Sequence, residues 1–257
     1  MSFDVAATAY GRFMGQFAES LATRFADVLD LRRGQRALDV GAGPGALTTV
    51  LVGRLGASAV SAVEPSPPFA AALAERLPGI AVERAPAEAL PFAADSFDVV
   101  AAQLVVHFMT DPVAGIAEMA RVARPNGRVA ACVWDHAGGT GPVSLFWRAA
   151  RELDPDADDE SALAGARDGH LVELFTRAGL VDAEQHLLTV DAPYTDVDAW
   201  WETYTLGVGP AGAYVAQLDE DKRVALRARC AALLPAGPFV VTANAWAAVA
   251  TVGQGGS

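Results

Sequence analysis

Helical and strand periods alternate from Arg36 to Trp134, which predicts a doubly wound α/β sheet. Two local features support that class. Asp98 to Gln103 is a near-continuous apolar run, the pattern of a strand buried on both faces of a parallel sheet. Ala37 to Thr48 reads as a short apolar strand, a turn with glycines at 41, 43 and 45, and the start of a helix. Glycine there lets the backbone take positive φ and approach a ligand without a Cβ in the way. A helix opening at Ala46 leaves free amide N–H groups facing the same place.

The chain has 257 residues, 52% hydrophobic and 19% charged, which is enough for a sizeable core and points to one domain. Its net charge of −12 with no basic cluster argues against nucleic acid or an anionic membrane as partner. Cys132 and Cys230 lie in apolar stretches without metal-ligand spacing, so buried, reduced thiols and a cytoplasmic location are expected. The first residues lack a basic stretch followed by an apolar one, so no signal peptide is read there. The uncharged run from Cys230 to Gly253 is broken by Pro235, Gly237, Pro238, Thr242 and Asn244; it reads as a helix end, a turn and a buried strand.

In chain order, Phe13, Phe17, Leu21 and Phe25 recur every fourth residue and mark a helix from about Gly11 to Leu29. Arg36 to Val40 is the first strand, Leu47 to Leu55 a helix, and Ser58 to Glu64 a second strand that ends in an acid. Pro67 and Pro68 open a helix reaching about Arg76. Ile80 to Arg84 and Asp98 to Gln103 are the next strands. Asp111 caps a helix whose first position is Pro112 and which runs to Val122. Pro125-Asn126-Gly127 turns the chain into a fifth strand, Arg128 to Trp134. Beyond it, helices are expected at Val143 to Leu153 and Leu171 to Ala178, strands at Glu184 to Ala192 and Phe239 to Val252, and a helix from about Asp219. Asp154, Asp156 and Asp158 alternate as in a calcium loop, but Asp159 stands at the sixth position and Gly165 at the twelfth, so no metal is expected.

The loop Gly41-Ala42-Gly43-Pro44-Gly45-Ala46, with Glu64 downstream, also fits the dinucleotide fingerprint of NAD(P)-dependent oxidoreductases. On this segment alone the two readings stay open. Asp39 leans against a pyrophosphate, because a carboxylate repels phosphate and suits an ammonium group. Leu38-Asp39-Val40-Gly41-Ala42-Gly43-Pro44-Gly45 resembles the first motif of class I S-adenosylmethionine-dependent methyltransferases, in the small-molecule branch with the ubiquinone and menaquinone biosynthesis enzymes. Val63-Glu64-Pro65-Ser66, Ala87 to Phe92 with Ser96-Phe97-Asp98, Arg121 to Arg128 and Phe175 to Leu180 resemble later motifs of that branch in the same order, and Ala9 to Gly15 resembles the N-terminal helix that closes over the cofactor in it.

The resemblance implies a Rossmann-like fold: a seven-stranded, mostly parallel sheet with a helical cap inserted after strands five and six. It implies S-adenosyl-L-methionine as cofactor and S-adenosyl-L-homocysteine as product. Asp39 would accept from the cofactor's ammonium and Glu64 from the ribose hydroxyls. Gly41, Ala42 and Gly43 would lie at backbone distance, beside Pro65. Phe69, where the family usually has Met, would pack on adenine, Ala87 would offer its amide to that ring, and Gln103 would reach the methionine moiety. Tyr10 would close over the cofactor as part of an N-terminal lid. Pro86 replaces a common Asp, which leaves the adenine amino group to Glu88 or a nearby carbonyl; Asn126 replaces Gly and Gln16 a frequent Arg.

Methyl transfer needs nucleophile and methyl carbon held close and collinear, sometimes with a His base. His107, after the fourth strand, is the candidate base, His136 a weaker one, and His170 and His186 look peripheral. Trp134, Trp200, Trp201 and Tyr204 are candidates for an aromatic acceptor site. The expected partner is a small-molecule methyl acceptor, with no nucleic acid and no membrane, for a monomer or homodimer. One domain is expected to comprise a lid over 1–30, a cofactor-binding core over 31–135, and cap insertions over 136–182 and 193–236. A non-catalytic cofactor-binding protein is the other alternative.

Overall fold

The computed structural model describes residues 7–157 and 159–253. Seven strands form one sheet in the order β3-β2-β1-β4-β5-β7-β6. They are β1 (Ala37–Val40), β2 (Val60–Val63), β3 (Ala81–Glu83), β4 (Phe97–Gln103), β5 (Ala123–Trp134), β6 (Glu184–Tyr194) and β7 (Phe239–Thr251). The first five are parallel, and β7 runs antiparallel to both β5 and β6. The fold is therefore an α/β Rossmann-like one with a mostly parallel sheet. β1 and β4 are central and end side by side, while β2 and β5 lie outside them, so their carboxyl ends open one crevice where the strand order reverses.

The helices are α1 (Ala7–Tyr10), α2 (Gln16–Val28), α3 (Ala46–Leu55), α4 (Pro67–Arg76), α5 (Pro112–Val122), α6 (Ser144–Leu153), α7 (His170–Arg177), α8 (Val197–Tyr204), α9 (Gly209–Gln217) and α10 (Glu220–Leu233). The two sheet faces follow from the alternation of strand side chains. Ala37, Val99, Ala101, Ala130 and Cys132 face a core shared with α2, α3, α6 and α8 to α10. Leu38, Val100, Ala102, Val129 and Ala131 face the other core, with α5 and α7. Helices α6 and α7 follow β5, and α8 to α10 follow β6, which makes the inserted helical cap. No helix among the described residues is long and apolar enough to cross a membrane.

Three local differences from the sequence reading have physical causes. The N-terminal helix is joined to α1 through a π turn over Gly11–Gly15, whose glycines ease that wider winding. Strand β5 begins at Ala123, and the expected turn at Pro125-Asn126-Gly127 is a bulge inside it. The register shifts between Phe97 and Val99, Asn126 has φ 64°, and its N–H donates to Val252 O at 2.9 Å. A Cβ at Gly127 would stand 2.8 Å from Arg124 O. Strand β6 continues through Pro193 to Tyr194, which an edge strand tolerates because the missing N–H faces no partner.

Candidate functional site

Asp39 belongs to β1 itself, 1% exposed, and its Oδ2 accepts from Thr48 Oγ at 2.6 Å. Burial, and then the nearby Glu64 charge, push its carboxyl up to about 7 against the hydrogen bond from Thr48. The chain then turns at Gly41 (φ 67°), whose N–H and that of Ala42 donate to Val63 O at 2.8 and 3.0 Å. A side chain at Gly41 would meet Val105 Cγ atoms at 2.6 Å, so this close approach of the loop to the segment after β4 requires glycine.

Glu64, at the end of β2, fastens the loop. Its Oε2 accepts from Gly43 N–H at 2.7 Å and its Oε1 from Ser66 N–H at 2.8 Å. Each oxygen keeps a further lone pair. Burial raises this carboxyl above its ordinary range, opposed by those two hydrogen bonds. Gln103 ends β4, and its Nε2 donates to Ala18 O at 2.9 Å, tying α2 over the crevice. Its Oε1 is buried and has no hydrogen-bond partner among the described residues. Glu88 Oε1 accepts from Thr110 and Asp111 N–H at 2.7 and 3.2 Å, so it joins the 86–91 segment to the start of α5.

These groups surround a cleft of about 260 Å³. Tyr10, Asp39, Gly41, Ala42, Gly43, Glu64, Pro65, Phe69, Ala87, Glu88 and Gln103 all line it. The Tyr10 ring sits edge-on to Phe69, with centroids 5.5 Å apart, and its hydroxyl is pushed up to about 12 by burial and by Glu64. Leu104, Val105, Phe108, Met109 and Thr110 complete the wall. Sequence reasoning missed this segment because it carries no polar motif. Its one signal is conformational: Leu104 takes φ 61° at the point where β4 stops.

The cleft's chemistry suits a zwitterionic nucleoside. The partnerless Gln103 Oε1, the Asp39 carboxylate and the spare lone pairs of Glu64 are all acceptors among the lining residues, with Asp39 and Glu64 close enough for their charges to interact. Among the described residues no basic side chain lines it to balance a pyrophosphate.

His107 lies outside that lining. It is buried, its ring is 3.9 Å from the Phe108 ring and 6.3 Å from that of His136, and its Nδ1 has no partner among the described residues. Burial, and then His136, drive it down to about 3, so it is neutral. His136 lines a second cavity of about 600 Å³ with Ser144, Leu145, Trp147, Arg148, Arg151, Asp159 and Glu160. His170 Nδ1 accepts from Gly165 N–H at 3.1 Å, and His186 stands 3.9 Å from Glu184, both away from the two cavities.

Trp134, Trp200, Trp201 and Tyr204 line neither cavity and are all buried. Tyr204 stacks on Phe146 at 4.6 Å, Trp200 lies 4.6 Å from Tyr204, and Trp134 meets Phe17 edge-on at 6.2 Å. Where an aromatic acceptor surface was expected, these rings hold the cap to the sheet, since large aromatic area is most stabilising in a core. No cluster of potential metal ligands occurs among the described residues.

Residues 38–131 match a family model described as a methyltransferase domain. A demethylmenaquinone methyltransferase of Mycolicibacterium paratuberculosis is 40% identical over 111 residues, which is 43% of this chain and 46% of that one. Nocamycin O-methyltransferase of Saccharothrix syringae is 36% identical over 149 residues, 56% of this chain and 50% of the relative. The chain thus spans about half the length of these curated relatives. Among solved structures, the YcgJ protein of Bacillus subtilis superimposes with a TM-score of 0.59 at 17% identity, covering 91% of this chain and 98% of its own. That similarity concerns the fold alone. In sequence, residues 38–131, which run from β1 into β5, relate the chain to methyltransferases. The demethylmenaquinone methyltransferases are among those relatives.

Proposed function

We propose that the protein is an S-adenosylmethionine-dependent methyltransferase acting on a small molecule. The observation that carries the reading is the cleft's acceptor set of buried Asp39, the partnerless Gln103 Oε1 and Glu64, with no basic side chain in the lining among the described residues. Asp39 and Gln103 would take the ammonium, Glu64 the ribose hydroxyls, and Phe69 with Ala87 the adenine. The bound cofactor supplies an electrophilic methyl carbon on a sulfonium. The chain's part is to hold that carbon at the end of β4, and the tie from Gln103 to Ala18 keeps α2 across the opening. The lid is residues 1–30, of which 1–6 lie outside the described residues, the core 31–135, and the cap 136–182 and 193–236. His107 is proposed as the base; its ring packs on Phe108, a residue of the cleft's lining. Its test is His107→Ala, which lowers kcat on the true acceptor and leaves cofactor affinity unchanged.

Calorimetry with S-adenosylhomocysteine and with NAD(P)+ tests the reading as a whole. Tight binding of the former alone supports it, and binding of NAD(P)+ alone overturns it in favour of the oxidoreductase. Cofactor binding with no turnover across hydroxyl, amine and carbon acceptors would favour a non-catalytic binding protein.

A further inference from the structure

Two neighbouring threonines in the first turn of α3 use their hydroxyls differently. Thr49 Oγ donates to Gly45 O at 2.6 Å, the bond back to residue i−4 that a helical threonine ordinarily makes. Thr48 Oγ instead donates at 2.6 Å to Asp39 Oδ2, on β1. Donor and acceptor are 0% and 1% exposed, so the bond is shielded from water.

The start of the helix explains the pairing. Gly45 stands at the N-cap with φ 95° and has no side chain to take a free N–H of the first turn. The Asp39 carboxyl reaches that turn from β1, and the Thr48 backbone N–H acts on it together with the hydroxyl. A carboxylate at a helix N-terminus is also favoured by the helix dipole. Little else near Asp39 supports its charge. Glu64, from the end of β2, is a like charge. The Cys132 thiol on β5 is pushed well up by burial, and the Tyr10 hydroxyl of α1 up to about 12, so both are uncharged. Gln103 of β4 is neutral, and among the described residues no basic side chain lines the cleft. Burial is the largest influence on Asp39 and raises its carboxyl to about 7, with Glu64 acting the same way; the hydroxyl and N–H of Thr48 oppose them.

We propose that Thr48 is a positioning residue for ligand binding in the cleft: it holds Asp39 Oδ2 from the α3 side, so that the carboxylate presents its remaining lone pairs to the ligand's ammonium group. That the ligand carries an ammonium rests on the S-adenosylmethionine reading above. Thr48 itself does not line the cleft, so it acts through Asp39. The hydroxyl donates only to the ionised oxygen, and a protonated carboxyl would turn its own O–H toward a cation.

Calorimetric titration with S-adenosylhomocysteine and with 5′-methylthioadenosine, from pH 6 to pH 8.5, tests the proposal. The second ligand has the same nucleoside without the amino-acid portion. Thr48→Val removes the donor and keeps the branched shape. Without that donor the carboxyl takes up a proton at higher pH, so the midpoint below which S-adenosylhomocysteine affinity falls should move up by about one pH unit. Affinity should then be roughly tenfold below the wild type at pH 6 and less than about threefold below it at pH 8.5. Thr48→Ser should keep the wild-type profile, and 5′-methylthioadenosine should bind the wild type and Thr48→Val equally at each pH. An equal loss at every pH, a loss for both ligands, or no rescue by serine would mean that Thr48 only packs the helix, and would overturn the proposal. If Thr48→Val does not fold, Thr48→Cys carries the test: its thiol is a weak donor, so the midpoint should move the same way by less, and an unmoved midpoint refutes the role. A wild-type protein that binds neither ligand overturns the S-adenosylmethionine reading and this proposal with it. Normal wild-type binding with an unmoved midpoint in the variants overturns this proposal alone.

Discussion

The cleft at the ends of β1, β2 and β4 and the cavity beyond β5 are built on opposite principles. Around the cleft, two carboxylates tie segments together through backbone N–H groups, Glu64 holding Gly43 and Ser66 and Glu88 holding Thr110 and Asp111, while Asp39 accepts from the Thr48 hydroxyl. These ties shape the cleft without a ligand, and among the described residues Gln103 Oε1 is its one buried side-chain acceptor without a partner. Around the cavity, Asp135 fixes the loop, yet the imidazole that the loop presents is unsatisfied. Preorganisation of the first region suits a ligand of one structure. In the second, polar atoms are buried without partners among the described residues.

The largest effects should come from breaking the cleft's scaffold. Gly41→Ala forces a Cβ into Val105 at a positive φ, and is expected to cost about 2–4 kcal/mol of stability and to abolish S-adenosylhomocysteine binding. Chemical denaturation and calorimetry check it, and a stable protein that still binds would show the loop to be pliable. Glu64→Ala strips two backbone donors of a charged acceptor, at about 1.5–3 kcal/mol each if neither finds water. Affinity should fall by about 100-fold or more. Glu64→Gln, which keeps one acceptor, should fall between it and the wild type.

Asp39→Asn separates binding from folding. Because the folded pKa is raised to about 7, the carboxyl adds stability in acid, fully below its ordinary pKa near 3.8, and that contribution is lost as pH rises through 7. At pH 8 the buried charge therefore destabilises the ligand-free protein, and Asp39→Asn should raise its Tm while weakening S-adenosylhomocysteine binding by about 10- to 100-fold. In the wild type, affinity should weaken as pH drops below 7, because the carboxyl must then lose a proton to meet the ammonium. A pH-independent affinity would remove Asp39 from the ammonium site.

The two regions also differ in how far the sequence exposes them. The cleft's polar groups lie at the ends of strands and in glycine turns, where period and punctuation betray them; Asp39, Glu64 and Gln103 each end or interrupt an apolar run. Fold class was legible for the same reason, since residues alternate between two cores along β1, β4 and β5. The β5 bulge was read as a turn because Pro125-Asn126-Gly127 has turn chemistry, and only pairing with β4 and β7 keeps it in a strand. The cavity's residues come from a loop after β5, a helix face and an acidic stretch that reads as solvated, with 24 positions from His136 to Glu160 and no motif between. Trp200, Trp201 and Tyr204 drew attention by composition, but a ring's identity does not tell whether it faces a ligand or a core.

The smallest effect, and the one that best isolates the cavity, belongs to Glu160→Gln. Below pH 7 the wild-type carboxyl is already protonated, so the amide is nearly isosteric and isoelectronic with it, and its carbonyl can still accept from Trp147 Nε1. Stability at pH 6 should change by less than about 1 kcal/mol. A carboxyl whose folded pKa is raised stabilises the fold below its ordinary value and loses that contribution as pH rises through 7. At pH 8 the wild type therefore carries a buried charge that the variant lacks, and Glu160→Gln should be the more stable of the two. Paired denaturation curves at pH 6 and pH 8 measure the crossover. Equal curves at both would mean that water reaches Glu160 freely and that its charge costs the fold nothing.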